Sequence, residues 1–272
     1  MNRLKCVLFD LDDTLVPEMG PEREALLIAC GLATKKFGTD AEQMALTVGE
    51  ACAELWGQWN TRDLYSSIAY SGWEGLWGPP DLPDDGLGND SETIVRYKHD
   101  AWDAVLARHG IEDIELRDLI IERHRTERIS RLKPYPGAEK VLKQVSTGYP
   151  LGLVTNGSPA VQRFKLAQAG LARYFSIVVT SGDVGAGKPD PKPFLTALES
   201  LGVDPDSAVM IGNSWRSDVK GANNLGIASI WFNQQSLPAG EGSPPSIEIS
   251  SLDQVPGALE TLGGVAGSDA DD

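Results

Sequence analysis

Asp10 directly follows the apolar run Cys6–Phe9, Asp12 stands two residues on, and Asp13-Thr14 complete a turn before Leu15. A carboxylate at the end of a buried strand is costly unless a cation compensates it. Two aspartates at i and i+2 off a strand can converge on one ion, the first through its side chain and the second through its main-chain carbonyl. Oxygen ligands of this kind suit Mg2+. A calcium-type cluster, or aspartates that merely form a turn, is the competing reading of the same residues.

Three further positions share this character. Thr155 ends the apolar run Leu151–Val154 and is followed by Asn156-Gly157-Ser158. A hydroxyl at a strand end, with a run of backbone N–H groups leading into a helix, suits a phosphoryl oxygen. An ordinary threonine helix cap would look the same. Lys188 stands in Gly182-Asp183-Val184-Gly185-Ala186-Gly187-Lys188-Pro189, which matches the start of a Walker A loop. Pro189 occupies the place of the required Ser or Thr and offers neither a hydroxyl nor an N–H, so a nucleotide triphosphate loop is rejected. What remains is a lysine held by a glycine-rich turn, able to neutralise a carboxylate or a phosphate. Asn213 and Asp218 follow the apolar run Val209–Ile211, although Asp218 alone could be a helix N-cap. The three histidines, 99, 109 and 124, form no zinc-protease or Ser-His-Asp spacing and read as surface or core residues.

These positions need a scaffold that delivers strand ends to one place. Cys6–Phe9, Leu151–Val154, Ile177–Val179, Val209–Ile211 and Ser229–Phe232 read as buried parallel strands, with a weaker one at Ser246–Ile249. Helical patterns at Ala160–Ala169, Pro191–Leu201 and Asp218–Leu225 each run into a glycine, a common helix stop. The alternation predicts an α/β fold: a doubly wound, mostly parallel, Rossmann-like sheet. Residues 17–132 break that pattern. Glu22–Gly31, Ala41–Trp59 and Ser91–His109 have helical spacing, Gly78–Asp90 reads as a loop, and five of the seven tryptophans fall in this insertion. Trp56/Trp59 and Trp73/Trp77 could each share a helix face, as a small helical core or as a wall that shapes a substrate. The division expected is 1–16 and 133–262 as the α/β core, 17–132 as an inserted α-helical domain, and 263–272 as a disordered acidic tail.

Composition narrows the class. The net charge of −15 argues against nucleic-acid binding, since a phosphate backbone would be repelled. A small phosphorylated metabolite is still accepted where a local cation overrides the global field. Three cysteines without a Cys-x-x-Cys pair point away from disulfides and zinc and towards a reducing compartment. No signal peptide and no membrane-length apolar run are found, so a cytoplasmic location is the default expectation. Oligomeric state is not legible.

The order of these segments resembles the haloacid dehalogenase-like hydrolase superfamily. The likeness rests on Asp10-Leu11-Asp12-Asp13-Thr14-Leu15, then Thr155-Asn156-Gly157, then Lys188-Pro189, then Gly212-Asn213-Ser214 with Asp218. The insertion resembles that family's helical cap in position and character. The resemblance implies a magnesium-dependent phosphatase acting on a small phosphate monoester through an aspartyl-phosphate. Asp10 would be the nucleophile and Asp12 the acid and base. Thr14, Thr155, Asn156, Gly157 and Lys188 would bind the phosphoryl group, with Thr155 and Lys188 also catalytic. Asp10, Asp12, Asn213 and Asp218 would hold Mg2+. Three ionised aspartates and one lysine sum to −2, which a divalent cation closes. A phosphomutase, a 2-haloacid dehalogenase and a non-catalytic regulatory protein share the scaffold. One departure stands out: position 213 is Asn where many members of the family carry Asp. That change predicts weaker metal affinity, with Asp218 taking more of the metal's charge.

Overall fold

In the computed structural model, residues 4–59, 66–78 and 91–264 are described. Strand β1 (Cys6–Phe9) is followed by helices α1 (Met19–Phe37), α2 (Ala41–Trp59), α3 (Gly72–Trp77), α4 (Ser91–Arg108) and α5 (Ile114–Ser130). The chain continues through α6 (Ala138–Val145), β2 (Leu151–Thr155), α7 (Pro159–Gln168), β3 (Ile177–Thr180), α8 (Ser181–Val184) and α9 (Pro191–Leu201). It closes with β4 (Ala208–Gly212), α10 (Lys220–Asn224), β5 (Ala228–Phe232), β6 (Ile247–Ile249) and α11 (Val255–Gly264).

The six strands form one parallel sheet in the order β3-β2-β1-β4-β5-β6, which is the doubly wound Rossmann-like arrangement. The chain lays β2 and β3 on one side of β1 and then crosses to place β4 on the other. The gap between β1 and β4 is therefore a topological switch point, where the carboxyl ends of the strands leave a crevice. All four residues of β1 are buried, so its sequence is a continuous apolar run rather than an alternation. Cys6 and Leu8 pack with Phe194, Ala197 and Leu198 of α9 on one face. Period-two pleating sends Val7 and Phe9 to the other.

Contacts divide the chain into two units: 1–16, 134–156 and 169–272 in the first, 17–133 and 157–168 in the second. The helix α7, assigned from sequence to the α/β core, thus groups with the helical insertion. Polar side chains join it there: within the helical unit Gln162 donates to Glu74 at 2.7 Å, and Lys165 lies 3.2 Å from Glu18. The helical unit has its own apolar core, in which Leu26, Ala29, Met44, Val48, Trp102, Ile120 and Ile121 pack together.

Two helices of that unit differ from the sequence reading. α1 extends to Phe37, ending on Gly38 in the left-handed region, instead of stopping at Gly31. α5 has no counterpart in the expected helices. Its buried stripe runs Leu116, Ile120, His124, Arg128, so the apolar signal fails halfway along. The buried Arg128 pairs with Glu18 at 2.8 Å and Glu22 at 3.0 Å, and lies over the Trp77 ring. His124 bonds Glu22 at 2.8 Å, which makes it a core histidine. Trp77 and Trp102 are buried. The Trp59 side chain, most of the expected loop 78–90 and most of the expected tail 263–272 lie outside the described residues, while Gly263 and Gly264 complete α11.

The three cysteines are buried and free, and burial pushes the Cys6 thiol up to about 11 and the Cys30 thiol up to about 12. Among the described residues no helix is long and apolar enough to cross a membrane.

Candidate active site

The site is built within the α/β unit, at the carboxyl ends of β1, β2 and β4 and the loop after α8. β1 hands Asp10 out of the sheet still anchored, its N–H donating to the Ile211 carbonyl of β4 at 2.9 Å. The chain then doubles back. Thr14, Leu15 and Val16 all donate backbone N–H groups to the Leu11 carbonyl, and Asp12 bridges to Val16. Asp13 makes the reversal at φ 53°, a left-handed conformation that aspartate tolerates better than most residues. Asp12 is left half-buried.

Lys188 is the electrostatic centre. Its buried ammonium donates to Asp10 Oδ1 at 2.7 Å, Asp218 Oδ1 at 2.7 Å and the Val154 carbonyl at 2.6 Å, which uses all three of its protons. Burial favours the neutral amine. The negative charges of Asp10 and Asp218 outweigh that and hold its pKa above the ordinary lysine value. Burial also lifts the Asp218 carboxyl to about 6, against the pull of Lys188 and with the push of Asp10's charge.

The main chain of Lys188 is clamped from β2. Asn156 accepts from the Lys188 N–H at 2.7 Å and donates its own amide to the Lys188 carbonyl at 3.0 Å. Asn156 is expected to bind substrate; its side chain holds the Lys188 main chain. Thr155 is buried at the end of β2, level with Thr180 of β3. Gly157 belongs to the other unit, and its φ of 124° lies where only glycine is at ease.

Thr14 was also expected to bind substrate. The structure places it, fully buried, between the first and fourth segments. It donates to Asp10 Oδ2 at 3.1 Å and accepts from the Asn213 N–H at 3.0 Å. Its oxygen also lies 3.4 Å from Asn213 Oδ1, which brings that amide oxygen to the Asp10 side of the crevice.

Asp218 sits inside a π-helical turn, Trp215–Val219, that precedes α10. The helix cap here is Ser214, which accepts from the Ser217 N–H at 3.1 Å. Asp218 commits both oxygens to the protein, Oδ1 to Lys188 and Oδ2 to the Ser214 N–H at 2.9 Å. Room for it comes from Gly212: a Cβ there would stand 2.2 Å from Asp218 Oδ2.

Asp10, Asp218 and Lys188 together carry a charge of −1 in a buried setting. Among the described residues no group of three His, Cys, Asp or Glu side chains is placed to hold a metal ion. The oxygens that could hold one are the Asp10 carboxylate, the Asn213 amide oxygen and the main-chain oxygen of Asp12. An oxygen-only set with one or two carboxylates and residual negative charge is what Mg2+ takes from a protein when a phosphate completes its shell.

Sequence reasoning missed the Asn156 clamp, the Thr14 bridge and Trp231, whose indole donates to the Asn213 carbonyl at 2.8 Å. A hydroxyl closing the aspartate-rich turn was the available signal for Thr14. Trp231, inside an apolar strand, gave none.

A family model described as haloacid dehalogenase-like hydrolase matches residues 4–226. The chain is 33% identical over 253 residues to a phosphoserine phosphatase of Thermus thermophilus, covering 93% of this chain and 98% of that protein. It is 27% identical over 258 residues to a glyceraldehyde 3-phosphate phosphatase of Methanopyrus kandleri, covering 90% and 93%. The crystal structure of a 2-haloacid dehalogenase from Pseudomonas syringae pv. Tomato matches with a TM-score of 0.62 at 24% identity, over 95% of this chain and 99% of that one, a likeness of fold.

Proposed function

This chain belongs to the haloacid dehalogenase-like hydrolases and is a phosphoric monoester hydrolase, and we propose that it transfers the phosphoryl group of a small metabolite to Asp10 and then to water, with Mg2+ as cofactor. The observation that carries this reading is the setting of Asp10. It stands at the switch point with one oxygen on the buried Lys188 ammonium and the other on the buried Thr14 hydroxyl. A carboxylate so oriented is a nucleophile of fixed direction.

An Asp10 oxygen bonds to phosphorus as the ester P–O bond breaks. Asp12, half-buried two residues on, gives its proton to the leaving oxygen. In the second half Asp12 takes a proton from water, the water oxygen bonds to phosphorus, and the Asp10 carboxylate is released with inorganic phosphate. Thr155 and the Asn156 N–H bind the phosphoryl oxygens. Lys188 counters their charge. Asp10, the Asp12 carbonyl and Asn213 would hold Mg2+, with Asp218 tied to the same charge network through Lys188. When bound, the ion supplies positive charge to the phosphoryl oxygens.

A dehalogenase would share the fold and the aspartate nucleophile but would leave Asp12 and the oxygen donors without a task. The helical unit is read as the cap that such an enzyme uses to choose its substrate. The test is hydrolysis of an aryl phosphate with Mg2+ and with a chelator, followed by a panel headed by phosphoserine and glyceraldehyde 3-phosphate. Metal-dependent release of phosphate supports the reading. Release that is indifferent to chelation removes the metal from it.

A further inference from the structure

We propose that Trp231 is a positioning residue for the metal ligand Asn213, an assignment that rests on the magnesium reading above. Asn213 leaves β4 immediately after Gly212, which pairs with Trp231 across the sheet. Its two peptide groups are then held separately. The N–H side donates to Thr14 Oγ1 at 3.0 Å, and the carbonyl side accepts from Trp231 Nε1 at 2.8 Å. With both ends pinned, the residue keeps only its side-chain torsions with which to aim Oδ1.

Trp231 is itself braced. It is buried, and Trp215 meets it edge to face with ring centroids 4.9 Å apart at 83°. Trp215 Nε1 donates to the Glu241 carbonyl at 3.1 Å, and a Cβ at Gly240 would fall 2.3 Å from Trp215 Cδ1, so the backbone there lies close against the indole. Two indoles thus connect the loop after β5 to residue 213.

The physical need for such a brace follows from the residue type. A neutral amide oxygen attracts a divalent cation less than a carboxylate does, so it cannot pull itself into place against competing rotamers. A ligand already held in its binding geometry avoids that ordering cost. Order at position 213 offsets the charge that position lacks.

The experiment uses the full-length protein and reads Mg2+ affinity by titration calorimetry, independently of turnover. Trp231→Phe keeps a ring against Trp215 and deletes the N–H. It is expected to raise the Mg2+ dissociation constant about five- to tenfold, the worth of one ordered hydrogen bond. On an Asn213→Ala background the same substitution is expected to change nothing, because the residue it positions is gone. A dissociation constant within twofold of wild type in Trp231→Phe, or an equal loss on the Asn213→Ala background, overturns the proposal. If Trp231→Phe does not fold, the wild-type protein still decides it. With nitrogen-15 in its seven indoles, the Trp231 N–H resonance must shift as Mg2+ saturates, and a spectrum with all seven unmoved overturns the assignment. Failure of the wild-type protein to bind Mg2+ at all would overturn it together with the metal reading.

Discussion

Burial raises the Asp218 carboxyl to about 6 in the folded protein, whereas an unfolded aspartate titrates near 3.9. Between those values the folded state binds more protons than the unfolded one. Stability from this group is therefore fully present below about pH 4 and is lost as pH rises through about 6. Metal-free protein should show a falling denaturant midpoint across that window, at most about 1.4 kcal/mol per pH unit from one group. Asp218→Asn should flatten the slope, and an unchanged slope in the variant would contradict the assignment. At the neighbouring position, Asn213→Asp adds a charge beside the proposed ion. A unit pair at about 4 Å is worth about 4 kcal/mol at an effective dielectric of 20, partly offset by repulsion from Asp10. The Mg2+ dissociation constant should fall at least about tenfold in calorimetry, and no change would remove Asn213 from the ligand set.

Strands were legible because most are short apolar runs that stop at a polar residue, and all six fall where the pattern of the sequence places them. Their lateral order was not, since nothing in the residues of β4 states that it pairs with β1. The side-chain clamps were hidden for the same reason. Asn156 reads as a phosphate-loop residue until the fold brings Lys188 beside it, 32 residues on. Asn156→Ala removes both clamp bonds and leaves the Lys188 main chain to find other partners. It should cost about 1–3 kcal/mol of stability and lower kcat about tenfold or more with little change in KM, as expected when a catalytic ammonium loses its aim. Steady-state kinetics and a urea melt check it. α5 was missed because its buried stripe ends in His124 and Arg128, whose partners Glu18 and Glu22 lie on the far side of a hundred residues. Hydrophobic periodicity cannot see a helix face that is buried through ion pairs.

The molecule carries a net charge of −15, and a phosphate monoester must approach it against that field. Screening should therefore help. With Mg2+ held at saturation, kcat/KM for a dianionic substrate should rise about two- to threefold between about 10 and 150 mM salt, as the Debye length shrinks to about 8 Å. A fall would mean that a cationic surface steers the substrate. The period of the apolar pattern changes after Val16, and the contact division falls at the same point. The pattern did not show that α7 keeps company with the insertion, because Gln162 and Lys165 reach Glu74 and Glu18 across distances in sequence that no local pattern spans. The proposed step is covalent and falls on Asp10. The most direct measurement is acid quenching of an aryl phosphate reaction with Mg2+, followed by mass mapping of the peptide that contains Asp10. A phosphoryl group on that residue in the wild type, and neither the adduct nor turnover in Asp10→Asn, is the predicted result. Turnover at the wild-type rate in Asp10→Asn, with the peptide unmodified throughout, would contradict it.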